Sequence, residues 1–179
     1  MIVLGIDPGS LKTGWGLIES SGNKLSYIDS GTLTFDGRVD YLLRVNEIQE
    51  KFDDLLCQLS PDAVAIESLI FKKSPTALIK LAQTRGVIIA NCLPRYHERI
   101  FEYSPNLVKS TVTGHGHANK EGVSKVLDML LGPRNYSTHD ESDALAIAIC
   151  HAMNYNSSYV HQKTSSKGKG FAASLSHKI

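Results

Sequence analysis

The chain has 179 residues and a mass of 19.6 kDa, a size that suits a single domain. Hydrophobic residues make up 42% and charged residues 21%, and this globular composition excludes a largely disordered chain. No apolar stretch approaches the roughly 20 residues that a transmembrane helix needs, so no membrane association is expected.

The formal net charge of +1 conceals an uneven distribution of charge. Glu19 to Glu67 contains ten acidic and four basic residues, whereas Ser68 to Lys120 contains two acidic and eight basic ones. The last 29 residues, from His151, carry four lysines and no acid. Such asymmetry favours a polyanionic partner such as a nucleic acid.

The expected location is the cytoplasm. Met1–Asp7 has neither the basic start nor the small-residue cleavage site of a signal peptide. The three cysteines form no CxxC motif and no Cys/His metal spacing. Both features agree with a protein of a reducing compartment.

The first third of the chain predicts three strands. Ile2–Asp7 is nearly continuous in apolar residues, as in a strand buried on both faces, and Pro8-Gly9-Ser10 ends it with turn residues. Thr13–Glu19 and Lys24–Phe35 alternate between apolar and polar residues on either side of Ser21-Gly22-Asn23, which is a hairpin signal. The three strands predict an antiparallel meander.

Helices and further strands alternate in the rest of the chain. Helical periodicity and capping residues predict helices over Arg38–Leu59, Ser74–Ile89, Ser104–Gly114, Asn119–Leu131 and Asp140–Met153, with strands over Ala63–Ile66 and Ile100–Tyr103. This order predicts an α/β domain over residues 1–153, with a mixed five-stranded sheet and helices on both faces. From residue 154 the apolar periodicity vanishes, so residues 154–179 are expected to form a flexible basic tail.

Four carboxylates stand where elements end or begin. Asp7 and Glu67 each follow a buried strand, and Asp140 and Asp143 are spaced i, i+3 on one helical face. The small residues of Ala144–Ala148 let that helix approach the sheet, so the four acids can converge. Clustered carboxylates repel unless cations compensate, and hard divalent ions prefer oxygen ligands. Two such ions ~3.5–4 Å apart can clamp a phosphodiester, one activating water and the other stabilising the leaving oxygen.

Each acid also has an ordinary structural explanation. Asp7 could form a turn, Asp140 could cap a helix, and Glu67 could pair with Lys72 or Lys73 at the surface. The joint occurrence of all four on this framework favours the metal site.

Four sequence blocks resemble one known family. They are Gly5-Ile6-Asp7-Pro8-Gly9-Ser10 with Thr13-Gly14-Trp15-Gly16, Ala65-Ile66-Glu67, Ala82-Gln83-Thr84-Arg85-Gly86, and Asp140-Glu141-Ser142-Asp143 with Ala144–Ala148. Together they resemble the RuvC-type Holliday junction resolvases of bacteria over about residues 1–153, in the right order and spacing.

The resemblance implies a ribonuclease-H-like fold and a homodimer that cuts four-way DNA junctions by paired symmetric nicks in recombination and repair. It implies two Mg²⁺ per active site, with Mn²⁺ able to substitute, held by an acidic tetrad of Asp7, Glu67, Asp140 and Asp143. It also implies a branch-migration complex of the RuvA and RuvB type as partner. His139 lies four residues before Asp143, and we interpret it as a helix-start neighbour; a role in proton transfer stays open.

The segment after Glu67 is unusually apolar and basic for a loop. Ile70 and Phe71 suit insertion into opened base steps, and Lys72 and Lys73 suit the flanking phosphates. By resemblance the wedge position is Ile70, and whether Phe71 takes over its stacking stays open. The alternative is that both apolar residues pack under the following helix.

Three more basic residues are candidates for DNA contacts. Lys109 and Lys120 match family positions that contact phosphates. Arg85 either contacts DNA or pairs with an acid, and the sequence leaves both open.

Three other functions compete with that of a junction resolvase. An ATPase of the actin or sugar-kinase superfamily would need a duplicated domain and a second phosphate loop, for which this chain is too short. A non-catalytic junction-binding module and a nuclease for RNA–DNA hybrids share the same fold. The four acids argue against the first of these two, and the apolar-basic loop argues against the second.

Overall fold

A computed structural model describes residues 1–70, 74–114, 116 and 120–165, with the backbone alone for residues 120 and 156–165. The strands are β1 (Ile2–Asp7), β2 (Lys12–Ser21), β3 (Lys24–Thr34), β4 (Ala63–Glu67) and β5 (Ile100–Tyr103). The helices are α1 (Tyr41–Leu59), α2 (Pro75–Tyr96), α3 (Pro105–Thr113), α4 (Lys120–Leu131) and α5 (His139–Ser165), with a 3₁₀ turn at His97–Arg99.

The five strands form one mixed sheet in the order β3-β2-β1-β4-β5. β1, β2 and β3 pair antiparallel, which confirms the predicted meander. β4 pairs parallel with β1, and β5 pairs parallel with β4. The carboxyl ends of β1, β4 and β5 therefore meet at one edge of the sheet.

Two apolar layers cover the sheet because successive strand residues point to opposite faces. Leu4 and Ile6 of β1 pack with buried residues of α1 and α2. Val3 of β1 and Ala65 of β4 pack with buried residues of α3, α4 and α5. Helices thus lie on both faces, as predicted, and none in the described ranges is long and apolar enough to cross a bilayer.

Side-chain caps fix the start of three helices. The Ser74 hydroxyl accepts from the backbone N–H of Ala77, and Pro75 occupies the first helical turn. Ser104 caps α3 in the same way, so both Ser-Pro predictions are confirmed. α1 begins at Tyr41 and not at Arg38, because the Asp40 carboxylate caps it.

Two helices are longer than predicted. α2 continues to Tyr96 with Pro94 in its last turns, where the sequence indicated an end near Ile89. α5 continues to Ser165, where the loss of apolar periodicity indicated an end at Met153. The residues from Asn154 to Ser165 are mostly polar, but the first glycine or proline after Met153 is Gly168, so no helix breaker lies within this stretch. The division into a domain and a tail stays a prediction, and residues 166–179 lie outside the described residues.

One histidine is fully buried between β5 and α5. His151 is 0% exposed, and its Nδ1 lies 2.8 Å from the hydroxyl of Tyr103. Its ring centroid lies 4.3 Å from that of Phe101, and its Nε2 has no hydrogen-bond partner among the described residues. Burial disfavours the imidazolium and lowers the pKa of His151 to about 4.

This burial predicts a loss of stability in acid. The unfolded chain binds the proton below its ordinary pKa of 6.5, whereas the folded protein does not until about pH 4. The stabilisation is complete above pH 6.5 and is lost as the pH falls to 4, by up to about 3 kcal/mol. Urea unfolding from pH 4 to 8 should show a flatter profile for His151→Gln. The exposed His97 provides the control His97→Asn, and parallel profiles for wild type and His151→Gln would contradict the prediction.

Candidate active site

Asp7 and Glu67 are neighbours at the carboxyl edge of the sheet. Gly5 pairs with Ala65 in the parallel register of β1 and β4, and Asp7 and Glu67 each lie two residues further on. Because Ala65 packs towards α5 and side chains alternate, Glu67 lies on the α5 face. Asp7 and Glu67 line one cavity of about 230 Å³, which we call the strand-end cavity.

Helix α5 brings its acids to the same edge because glycines let it touch the sheet. A Cβ on Gly5 would collide with the backbone of Ala144 and lie 2.7 Å from the backbone nitrogen of Ala148. Gly14 pairs with Asp7, and a Cβ on Gly14 would collide with the carbonyl of Asp140 and lie 2.9 Å from its Cβ. Asp140 therefore lies directly over the strand pair that carries Asp7.

Asp143 lies beside a second, larger cavity. It directly precedes Ala144, the residue that contacts Gly5. With His139 it lines a cavity of about 470 Å³ between the start of α4 and the connection from α4 to α5. His139 is the first residue of α5, in agreement with its interpretation as a helix-start neighbour.

The four acids share one edge of the sheet but do not form a closed ligand set. No three His, Cys, Asp or Glu side chains within the described ranges are close enough together to hold a metal ion. The donor set itself is all carboxylate oxygen, which fits Mg²⁺ or Mn²⁺ and not a soft metal. The residues present therefore fit the metal class that the sequence predicts.

Hydrogen bonds fix the start of α5 to the sheet. The Thr138 hydroxyl lies 2.7 Å from that of Thr32 on β3 and accepts from the backbone N–H of Glu141 at 3.3 Å. Glu141 is almost fully buried, and its carboxylate accepts from the backbone N–H of Ser137 at 3.4 Å. These contacts hold the helical turn that carries Asp140 in place.

Arg85 pairs with an acid and also holds the backbone of Glu67. Its Nη2 lies 2.5 Å from Oε2 of Glu102, and its side chain is only 14% exposed. Its Nε donates to the carbonyl of Glu67 at 3.1 Å. Of the two possibilities left open by the sequence, the structure shows the ion pair, and Arg85 lines the strand-end cavity from α2.

A buried arginine that sequence reasoning missed supports the turn after Asp7. Arg44 of α1 is 6% exposed. It donates at 2.8 to 3.4 Å to four backbone carbonyls, those of Ser10, Asp36, Gly37 and Val39. No sequence pattern marks a hydrogen bond between a helical arginine and the carbonyls of distant loops, so the sequence did not single out Arg44.

Two of the predicted DNA contacts, Ile70 and Lys109, lie at or next to the strand-end cavity. Ile70 lines that cavity and is 47% exposed. Lys109 lies one turn after Pro105, which lines the cavity from α3, and so shares its helical face. Lys120 begins α4. The other three predicted contacts lie outside the described residues: Phe71, Lys72 and Lys73.

The family of this chain follows from a match between a family model and almost the whole predicted domain. The family model described as Crossover junction endodeoxyribonuclease RuvC matches residues 3–151. The chain belongs to the RuvC family. This agrees with the resemblance carried by the four sequence blocks, and the matched range contains all four acids.

RuvC relatives match over most of their length. The crossover junction endodeoxyribonuclease RuvC of Rhizobium johnstonii is 40% identical over 161 residues, 89% of this chain and 94% of the relative. That of Bartonella henselae is 39% identical over 150 residues, 84% and 88% of the two chains. The structure of Thermus thermophilus RuvC in complex with Holliday junction substrate is 28% identical, covers 88% of this chain and 96% of that one, and has a TM-score of 0.81. These matches confirm the expected ribonuclease-H-like fold.

The glycine contact under Asp140 predicts a sensitive position. Gly14→Ala should lower the free energy of unfolding by about 1–3 kcal/mol, because the new Cβ overlaps the start of α5. Gly86→Ala is the matched control: its Cβ would meet nothing within 4 Å, and it should stabilise α2 by about 0.5–1 kcal/mol. Urea unfolding of both variants measures the difference, and equal stability of Gly14→Ala and wild type would refute the close contact.

Proposed function

We propose that this protein is a metal-dependent, structure-selective endonuclease that resolves four-way DNA junctions by paired symmetric nicks in recombination and repair. One observation carries the proposal. In a chain of the RuvC family, Asp7 and Glu67 lie side by side on neighbouring strands while α5 lays Asp140 over the same strand edge. This arrangement gathers carboxylates where a phosphodiester can reach them from solvent.

Asp7, Glu67, Asp140 and Asp143 are the residues that would hold two Mg²⁺, for which Mn²⁺ can substitute. When bound, the two ions supply activation of water and neutralisation of the charge that develops on the phosphate. The chain supplies the positions of the acids: the β1–β4 register sets Asp7 and Glu67, and the glycine contacts set α5. Arg85 keeps the Glu67 backbone fixed through its carbonyl.

The DNA is proposed to lie across the strand-end cavity. Ile70 is a large apolar side chain that remains half exposed beside acidic groups, and insertion between bases would bury it. Phe71 is the second candidate for this wedge. Lys72, Lys73, Lys109 and Lys120 are proposed to bind flanking phosphates, which dominate affinity for DNA. His139 lines the same cavity as Asp143, and we assign it no step in the cleavage reaction.

The proposed assembly is a cytoplasmic homodimer whose two-fold axis matches that of the junction. Leu42 and Leu43 of α1 are 74% and 67% exposed, and Ile79 of α2 is 58% exposed. The two helix starts are in contact, because the Tyr41 hydroxyl donates to the carbonyl of Lys80 at 2.6 Å. An exposed apolar patch of this kind favours a protein partner, and we assign it to the second copy. A branch-migration complex of the RuvA and RuvB type is the proposed further partner.

The second candidate is a junction-binding module of the same fold without catalysis. The observation in its favour is that no three potential metal ligands lie within reach of one ion in the described part of the chain. The two candidates differ in one result, the cutting of a junction in the presence of Mg²⁺.

The decisive test compares Asp7→Asn with wild type on a synthetic four-way junction and on a linear duplex. Wild type should nick the junction in pairs only with Mg²⁺ or Mn²⁺, as resolved on a denaturing gel. Asp7→Asn should cut more than about a hundredfold more slowly, since loss of even an outer-shell partner of a metal ligand costs 10–100-fold, while junction affinity in chelator stays within about twofold. Asp54→Asn removes an exposed acid from α1, on the opposite face of the sheet, and should cut like wild type.

The outcomes separate the two candidates. Tight junction binding without cutting, in Mg²⁺ and Mn²⁺ alike, would favour the binding module. Loss of binding and cutting together in Asp7→Asn would indicate a folding defect, which urea unfolding of that variant checks.

The dimer proposal makes a separate prediction. Leu43→Arg places a charge in the apolar patch and should convert a dimer to a monomer in sedimentation equilibrium, because burying an unpaired charge is costly. Leu93 is also exposed, on the last turns of α2, and Leu93→Arg serves as control. A dimer that persists in Leu43→Arg would place the interface elsewhere.

A further inference from the structure

The larger cavity beside Asp143 has an arginine that the predicted site does not use. The cavity of about 470 Å³ is lined by Asp143 and His139 on α5, by Arg134 and Tyr136 on the connection before α5, and by Glu121 on α4. Its volume lies in the range of ligand sites, about 300–1,000 Å³. We call it the Arg134 cavity.

Arg134 is held in position by an aromatic ring. Its guanidinium carbon lies 3.7 Å from the ring centroid of Tyr27 on β3, and both residues also line a neighbouring hollow of about 370 Å³. The connection that carries Arg134 is tied to β3 by the contact between Thr138 and Thr32. A stacked guanidinium loses less conformational freedom when it binds a ligand than a free side chain does.

Arg134 differs from three other arginines of this chain in the groups that contact its guanidinium. Arg38, Arg85 and Arg95 each pair with a carboxylate. Within the described ranges, Arg134 forms no ion pair with an acid, and its contact is the face of Tyr27. Arg134 is also exposed, and a planar guanidinium suits two oxygens of one phosphate.

We propose that the Arg134 cavity receives the DNA strand next to the scissile linkage and that Arg134 binds one of its backbone phosphates. This inference rests on the proposed nuclease function and adds a substrate subsite to it. Asp143 and Arg134 line the same cavity, which offers a strand whose scissile phosphate lies at the acids a path past Arg134. Glu121 on the α4 wall repels a second phosphate, so the cavity takes a single phosphate, at its Arg134 side. Tyr27 is the positioning residue for the guanidinium.

The test measures junction affinity in chelator, where no cutting occurs. Arg134→Ala should weaken binding by about tenfold to a hundredfold, which corresponds to the loss of a hydrogen bond to a charged group. It should also reduce the slope of log affinity against log salt by about 0.9, the value for one lost phosphate contact. Arg134→Lys should restore the slope but only part of the affinity, since a lysine lacks the bidentate fork. Tyr27→Leu should weaken binding without changing the slope.

A matched control is available at the far end of the sheet. Arg99 lies over the ring of Tyr96, 5.8 Å from its centroid, beside the start of β5 and away from Glu67. Arg99→Ala removes the same charge and the same kind of ring contact, and it should leave affinity and slope unchanged.

Neutral linkages then test the phosphate itself. In a set of junctions that each carry one methylphosphonate near the cutting site, one position should weaken wild type and leave Arg134→Ala unaffected. Equal affinity and equal salt slope for Arg134→Ala and Arg99→Ala would overturn the inference, whatever happens to the cutting rate. A wild-type protein that cuts no junction with Mg²⁺ would instead count against the proposed function, so the two failures are distinguishable.

Discussion

The close packing of α5 on β1 and β2 is the contact on which the candidate site depends. Gly5, Gly14 and Gly16 face this helix, and a side chain on any of them would overlap its backbone or Leu145. The strands can carry only Asp7 and Glu67 to the sheet edge, and the other two acids belong to the helix. If Gly14 carried a side chain, even one methyl group would push Asp140 away from the strand pair beneath it.

Both helical layers contribute to this edge, although the acids face only one of them. Arg44 of α1 and Arg85 of α2 come from the opposite layer and donate to backbone carbonyls, near Ser10 and at Glu67 respectively. A cation bound to a carbonyl stiffens the chain beside an acid. The turn after β1 and the end of β4 are thus held by the α1–α2 layer on one face of the sheet, while α5 covers them on the other face.

Local signals explain why the elements and the four acids could be predicted, and long-range pairs explain what could not. Buried strands end where apolar runs end, so the strand-end positions of Asp7 and Glu67 were predictable. Ser74 and Ser104, each followed by proline, predicted the starts of α2 and α3. The ion pair of Arg85 with Glu102 joins α2 to β5, and the stack of Arg134 on Tyr27 joins the last connection to β3. No periodicity encodes such pairs. The predicted end of α5 was wrong because the last turns of this helix are mostly polar yet contain no helix breaker.

The order of charges along this edge imposes a condition on binding. Asp7 and Glu67 line the strand-end cavity together with Ile70, and Asp143 lines the other cavity together with Arg134. Lys109 lies one helical turn after Pro105, which also lines the strand-end cavity. In the absence of a cation, the acids repel a phosphate backbone, so affinity must come from basic groups on both flanks. A strand held only on one flank could leave the centre, whereas a strand held on both must pass over the acids. In the proposed mode, Arg134 therefore acts on the position of the scissile phosphate as well as on affinity.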